Sequence, residues 1–214
     1  MANPPKEVFA RLTEWAQQPG PLLLVLVGPN GAGKSTFYKR HLEAIPLPFI
    51  NADVLAQTLI KAGAPLGEAT ERLAAELAEK KRQELVAKRD SFITETVFSD
   101  PVGAKVQALR DAQAVGYAVV LIFLCVDSPE LTALRVESRV KDGGHSVPQD
   151  KIAARYERMQ QNVKTALTFV DFAIVVDNSS LDTPLRPVAV TAKGKVIHRN
   201  PPLPEWAEKA LPEH

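Results

Sequence analysis

Leu22–Arg40 reads LLLVLVGPNGAGKSTFYKR, and this stretch decides the fold. Leu22–Val27 is an unbroken apolar run with a β-branched share, the mark of a short strand buried on both faces, and Gly28 ends it. Gly28, Gly33, Lys34 and Ser35 then fit G-x-x-x-x-G-K-[ST], with Pro29, Asn30, Gly31 and Ala32 between them and Thr36 opening a helical pattern. Glycines at these positions let successive backbone N–H groups point inward at anionic oxygens, and the helix adds the positive end of its dipole. The motif therefore predicts a phosphate cradle. Lys34 reaches the β- and γ-phosphates of a nucleotide such as ATP, and the Ser35 hydroxyl ligates Mg²⁺.

Outward from the cradle, apolar runs alternate with helical stretches, which predicts an α/β fold with a parallel sheet. Helices are expected over Pro5–Gln18, Lys34–Glu43, about Gly67–Asp90, Pro101–Val115, Pro129–Val140 and Asp150–Phe169. Strands are expected at PFIN, SFITE, YAVVLIFLCVD and FAIVVDN, with one edge strand near Val188–Ile197 and a loosely held Pro-rich tail, NPPLPEWAEKALPEH. At 214 residues and 45% hydrophobic content the chain reads as one domain over 1–214, with a core at 20–180, a lid region at 135–160 and a C-terminal extension at 185–214.

Composition excludes several classes. The formal charge of +1 gives no broad basic field for nucleic acid, and the longest apolar runs are far too short to span a bilayer. MANPPKEVFARL has no hydrophobic signal core, so a cytoplasmic location is expected. The one cysteine, Cys125, sits within an apolar run and reads as a core residue. The charges Glu71, Glu76, Glu79, Lys80, Lys81 and Arg82 read as a solvated helix face.

A transport-type ATPase needs a Ser-Gly-Gly-type loop and a strand ending in Asp-Glu. This sequence has neither; Asp127 is followed by Ser128 and Pro129 and reads as the cap of the next helix. A kinase needs a carboxylate near the γ-phosphate to deprotonate an acceptor, and cations over the transferring group. Asp53, in FINADVLAQ, stands at the mouth of the sheet as the candidate base, its plainer alternative being the cap of Val54–Ile60. Glu95 ends SFITE in the same plane, with Thr94 and Thr96 beside it. Arg135 and Arg139 share one helix face, Arg155 and Arg158 another, and the Gly143–Gly144 pair between them can hinge. The two arginine helices predict a lid, with surface pairing to Glu137 and Glu157 as the plainer reading; His145 in the loop reads as a substrate contact, because no His or Cys has metal-ligand spacing to it.

GPNGAGKSTF, FINADVLA, FITETVFS, GYAVVLIFL, RVESRVKDGGHSVPQDKIAARYERMQQN and VDNS, in this order between Leu22 and Ser179, resemble the zeta-toxin-like P-loop kinases. The resemblance implies a five-stranded parallel sheet in the order 2-3-1-4-5 with flanking helices and a helical lid. Zeta toxins use ATP and Mg²⁺ to phosphorylate the 3′-hydroxyl of the amino sugar in UDP-N-acetylglucosamine. By resemblance, Lys34 and Ser35 take the phosphate and metal roles, Asp53 the base, Glu95 and Thr96 the acceptor side, and Arg139 with Arg155 or Arg158 the lid. An antitoxin partner is implied as well. ETV departs from the family's threonine spacing, and relatives in the broad group phosphorylate an antibiotic hydroxyl or a dinucleotide ribose, so another acceptor hydroxyl, or an ATPase switch without one, stays open.

Overall fold

A computed structural model describes residues 4–141 and 149–213, with side chains over 8–135 and 153–213. The chain runs α1 (Pro4–Ala16), β1 (Leu22–Val27), α2 (Lys34–Phe37), β2 (Phe49–Ile50), α3 (Ala52–Lys61), α4 (Glu68–Lys88), β3 (Phe92–Thr96), α5 (Ala104–Ala114), β4 (Ala118–Cys125), α6 (Pro129–Lys141), α7 (Gln149–Leu167), β5 (Phe172–Asp177), β6 (Arg186–Ala192), β7 (Lys195–Arg199) and α8 (Glu205–Ala210). The strands form one sheet in the order β2-β3-β1-β4-β5-β6-β7. Its first five members are parallel in the expected 2-3-1-4-5 order.

The sheet has seven strands rather than the expected five. β6 and β7 are added antiparallel to the β5 edge as a hairpin where one edge strand was predicted. Its turn puts Lys193 (φ 47°) and Gly194 (φ 77°) in the left-handed region, as a tight hairpin turn requires. A Cβ on Gly194 would lie 2.3 Å from the Thr168 carbonyl oxygen.

Because strand side chains alternate, the continuous apolar runs serve two cores at once. Leu23, Val25 and Val27 of β1 face Leu85 of α4, Leu109 of α5 and Met159 and Val163 of α7. Leu22, Leu24 and Leu26 face Phe9 and Leu12 of α1 and Phe37 of α2. The tail is not loosely held. Trp206, 6% exposed, packs edge-to-face on Phe123 of β4 at 5.4 Å, and Ala207, Ala210 and Leu211 join the same core. Cys125 is buried, and burial pushes its thiol up to about 12. Ser128, not Asp127, caps α6 by accepting from the Leu131 N–H at 3.2 Å. No helix among the described residues is long and apolar enough to cross a membrane.

Candidate functional site

β1 lies between β3 and β4, so the turn after β1 opens where the strand order diverges, the usual ligand crevice of an open parallel sheet. Residues 28–33 make that turn. Gly28 is required by close approach, since a Cβ there would sit 2.1 Å from the Leu124 carbonyl oxygen. Gly33 takes φ 93°, and its Cβ would meet Asn178 Nδ2 at 2.4 Å. Asn178, just past β5, donates to the Ala32 carbonyl at 2.8 Å and accepts from Leu185 N–H at 3.1 Å. It thereby pins the floor of the loop to the chain entering β6.

Lys34 is buried at the start of α2, where its Nζ donates to the Gly28 and Pro29 carbonyls at 3.0 Å each. Glu95 Oε1 stands 3.7 Å from the same Nζ. Burial is the largest influence on Glu95 and leaves its pKa above the ordinary carboxylate value; the charge of Asp53 adds to the rise, and Lys34 and Asn51 oppose it. Ser35 and Thr36 are exposed in the first turn of α2. Oxygen donors of this kind suit a hard cation such as Mg²⁺. Among the described residues no group of three or more His, Cys, Asp or Glu is placed to hold a metal ion.

Asn51, the residue after β2, links the candidate base to this centre. Its Oδ1 accepts from the N–H groups of Asp53 (2.7 Å) and Val54 (3.3 Å), capping α3, while its Nδ2 donates to Glu95 Oε2 at 3.0 Å. Because Asn51 takes the cap, the Asp53 carboxylate is left exposed at the mouth of the sheet, near enough to Glu95 to shift its titration. The sequence carried a signal for this, an Asn immediately before a helical run.

Thr96 Oγ1 accepts from Phe98 N–H at 3.1 Å and from Lys105 Nζ of α5. Phe98 is held at φ 62°, an uncommon conformation for a bulky residue. α7 clamps this turn. Asn162 Nδ2 donates to the Phe98 and Asp100 carbonyls at 3.0 Å each, and Arg158 Nε donates to the Ser99 carbonyl at 3.1 Å. Arg135 Nη2 donates to the Ser179 carbonyl at 3.2 Å, and Arg155 is exposed. Arg158 thus reaches the loop after β3, and Arg135 the loop after β5. The side chain of Arg139, and all of His145 with its Gly-Gly hinge, lie outside the described residues.

Sequence reasoning missed Asn178, Lys105 and the inward turn of Arg82. Arg82 was placed on a solvated face, yet its guanidinium reaches Thr94 Oγ1 at 3.5 Å while pairing with Glu79 at 2.7 Å.

Comparison with known proteins agrees with this architecture. An uncharacterized protein of Haemophilus influenzae (strain ATCC 51907 / DSM 11121 / KW20 / Rd) is 27% identical over 133 residues, 60% of this chain and 88% of that protein. The PezAT chromosomal toxin-antitoxin system of Streptococcus pneumoniae has a similar fold, with a TM-score of 0.57 and 18% identity over 86% of this chain and 80% of that one. The AvrRxo1-ORF1:-ORF2 complex with ATP gives a TM-score of 0.59 and 15% identity over 95% of this chain and 70% of that one. The family model described as zeta toxin matches residues 6–183, and the chain belongs to the zeta toxin family.

Proposed function

We propose that the chain is an ATP- and Mg²⁺-dependent kinase that moves the γ-phosphate onto a hydroxyl of a nucleotide sugar, UDP-N-acetylglucosamine. The observation that carries this reading is the convergence at one sheet mouth of Lys34, Glu95 and an Asp53 freed from capping by Asn51. A kinase adds to the cradle a carboxylate that can deprotonate an acceptor hydroxyl, and Asp53 is exposed at the sheet mouth in a position to serve. ATP supplies the phosphoryl group, and Mg²⁺ neutralises its oxygens.

The backbone amides of 28–34 and Lys34 hold the phosphates, with Ser35 offering its hydroxyl to the cation. Asp53 accepts the proton as the acceptor oxygen bonds to phosphorus and the bond to the β-phosphate oxygen breaks, releasing ADP. Glu95, held by Asn51 and Lys34, fixes the distance between acceptor and cradle. Arg158, Arg155, Arg135 and Arg139 stand on the two helices assigned to the lid, and closure brings positive charge to the transition state. The family match supports the kinase reading, and the neighbour crystallised with ATP supports the nucleotide. The toxin-antitoxin name of the pneumococcal neighbour supports an antitoxin partner for this chain. The expected setting is the cytoplasm.

Labelled transfer from [γ-³²P]ATP to UDP-N-acetylglucosamine tests the reading. Asp53→Asn, nearly isosteric, retains ATP binding and loses transfer by roughly 10²–10⁴-fold. Full transfer in that variant moves the base elsewhere; no labelled product from the wild type removes this acceptor.

A further inference from the structure

Two cations meet at the end of β3 without a use in the chemistry above. Arg82 comes from α4 and reaches Thr94 Oγ1 at 3.5 Å; Lys105 comes from α5 and donates to Thr96 Oγ1. Thr94 and Thr96 alternate to one face of β3, and Glu95 between them faces Lys34 on the other. The pair therefore stands across the strand from the cradle, at the same carboxyl end of the sheet.

The surroundings of Lys105 do not pay for its charge. Burial holds its pKa below the ordinary lysine value, and the neighbouring Arg82 and, more weakly, Lys34 push the same way against Asp100 and Glu79. Both of those carboxylates are committed to other partners. Glu79 accepts from Arg82 Nε at 3.0 Å, from Arg82 Nη2 at 2.7 Å and from Gln83 at 3.2 Å. Asp100 accepts from the Ala104 N–H at 2.6 Å, the Lys105 N–H at 3.4 Å and Asn162 Nδ2 at 3.5 Å. Among the described residues no carboxylate comes within ion-pair distance of Lys105 Nζ. Glu79 neutralises Arg82, so Lys105 is the cation left without a paired carboxylate in a partly desolvated place, and that costs free energy unless an anion joins it.

The geometry points to Lys105 and Arg82 as the seat of a phosphate or diphosphate group carried by the phosphoryl acceptor. With Nε and Nη2 committed to Glu79, Arg82 presents Nη1 at Thr94, and this donor beside the Lys105 ammonium matches phosphate oxygens. The phosphates of ATP are served by the loop amides and Lys34, so a second cationic centre across β3 fits a second anion. The inference rests on the kinase reading for calling that anion part of the acceptor, but the seat itself is testable alone.

The test fills the cradle first, with a non-hydrolysable ATP analogue and Mg²⁺, and then titrates UDP-N-acetylglucosamine, UDP and pyrophosphate by calorimetry. The wild type binds at least one of these anions. Lys105→Met and Arg82→Gln bind it about 10-fold to 100-fold more weakly, the loss expected for one charge-assisted contact. Lys105→Arg, which keeps the charge, retains most of the affinity, and all variants bind the ATP analogue as the wild type does. Anion binding that depends on Lys105 without transfer to any nucleotide sugar keeps the seat and removes the assigned acceptor. Unchanged anion affinity in both charge-removing variants, equal loss of ATP-analogue affinity, or no anion binding by the loaded wild type overturns the seat whatever the transfer assay gives.

Discussion

Asn178→Ala tests whether the cradle is shaped from outside its own loop. The Asn178 amide joins the Ala32 carbonyl, 146 residues away in sequence, to the Leu185 N–H. Alanine removes both hydrogen bonds and leaves the carbonyl of a fully buried Ala32 unpaired. A hydrogen bond contributes about 0.5–1.5 kcal/mol net, and a buried orphan costs about 1–3 kcal/mol, so the loss comes to roughly 2–4 kcal/mol. For a chain of this size each kcal/mol lowers Tm by about 2–4 °C, giving a drop of about 4–16 °C by circular dichroism. ATP affinity falls in parallel, because the amides around Ala32 and Gly33 lose their anchor.

The same contact predicts a specific non-additivity. In Gly33→Ala the new Cβ meets Asn178 Nδ2 at 2.4 Å, and the backbone is strained at φ 93°. With alanine at 178 the clash is gone and only the strain persists. Gly33→Ala with Asn178→Ala therefore costs less than the sum of the single changes, a coupling within the range of about 0.5–3 kcal/mol seen for contacting residues. A Tm drop under about 2 °C for Asn178→Ala, or strict additivity of the pair, would refute the clamp.

Three further outcomes follow from the same geometry. Lys34→Ala removes the buried cation facing Glu95 and lowers turnover by about 10²–10³-fold in the transfer assay, with a lower Tm as well because Glu95 and the Gly28 and Pro29 carbonyls lose their partner; wild-type turnover excludes the cradle from the reaction. Glu95 has a folded pKa above its unfolded value of 4.5, so its protonation favours the folded state, fully below 4.5, and that contribution is lost as pH rises through the folded pKa. Glu95→Gln is thus more stable than the wild type at neutral pH, an advantage that shrinks on acidification, and denaturant titrations from pH 4 to 8 that show a pH-independent difference contradict it. Trp206→Ala opens the core against Phe123 and costs about 3–5 kcal/mol by urea unfolding; a change under 1 kcal/mol would mean that α8 is not docked.

The parts of the fold legible in the sequence are those encoded locally. β1 and β4 are uninterrupted apolar runs, and the glycine spacing at 28–33 carries its own backbone requirement. The β6–β7 hairpin was hidden because Lys193 occupies a left-handed turn position usually filled by Asn or Gly, and because β7 is mostly exposed and lacks a strong apolar face. α8 was hidden by its prolines, which read as loop although Trp206 finds its core on β4. Asp53 and Glu95 were visible as strand-end carboxylates. Their connection through Asn51 was not, because it joins residues 44 apart that only the pairing of β2 with β3 brings together. Lys105 gave no local signal at all, since a lysine near the start of a helix looks solvated until α5 is packed beside β3.

In the proposed reaction, one short strand, β3, would organise both the phosphate and the acceptor side. Its period of two sends Glu95 toward Lys34 and Asn51, and Thr94 and Thr96 toward Arg82 and Lys105, so each polar residue at its carboxyl end has a different cationic neighbour. A shift of one residue in the register between β1 and β3, now Leu26 opposite Glu95, would exchange the two sets and bury both threonines beside the cradle. The register is secured at the other end of the strand by Phe92 and Ile93, each fully committed to a different core. It is secured beyond the strand by Asn162 and Arg158 of α7, which hold the carbonyls of Phe98, Ser99 and Asp100. Arg158 is also one of the arginines assigned to the lid, so a movement of α7 acts directly on the turn that supports Thr96 and Lys105. Under the proposed kinase reading, closure over the nucleotide and ordering of the acceptor side would be one motion, carried by the hydrogen bonds between α7 and the loop after β3.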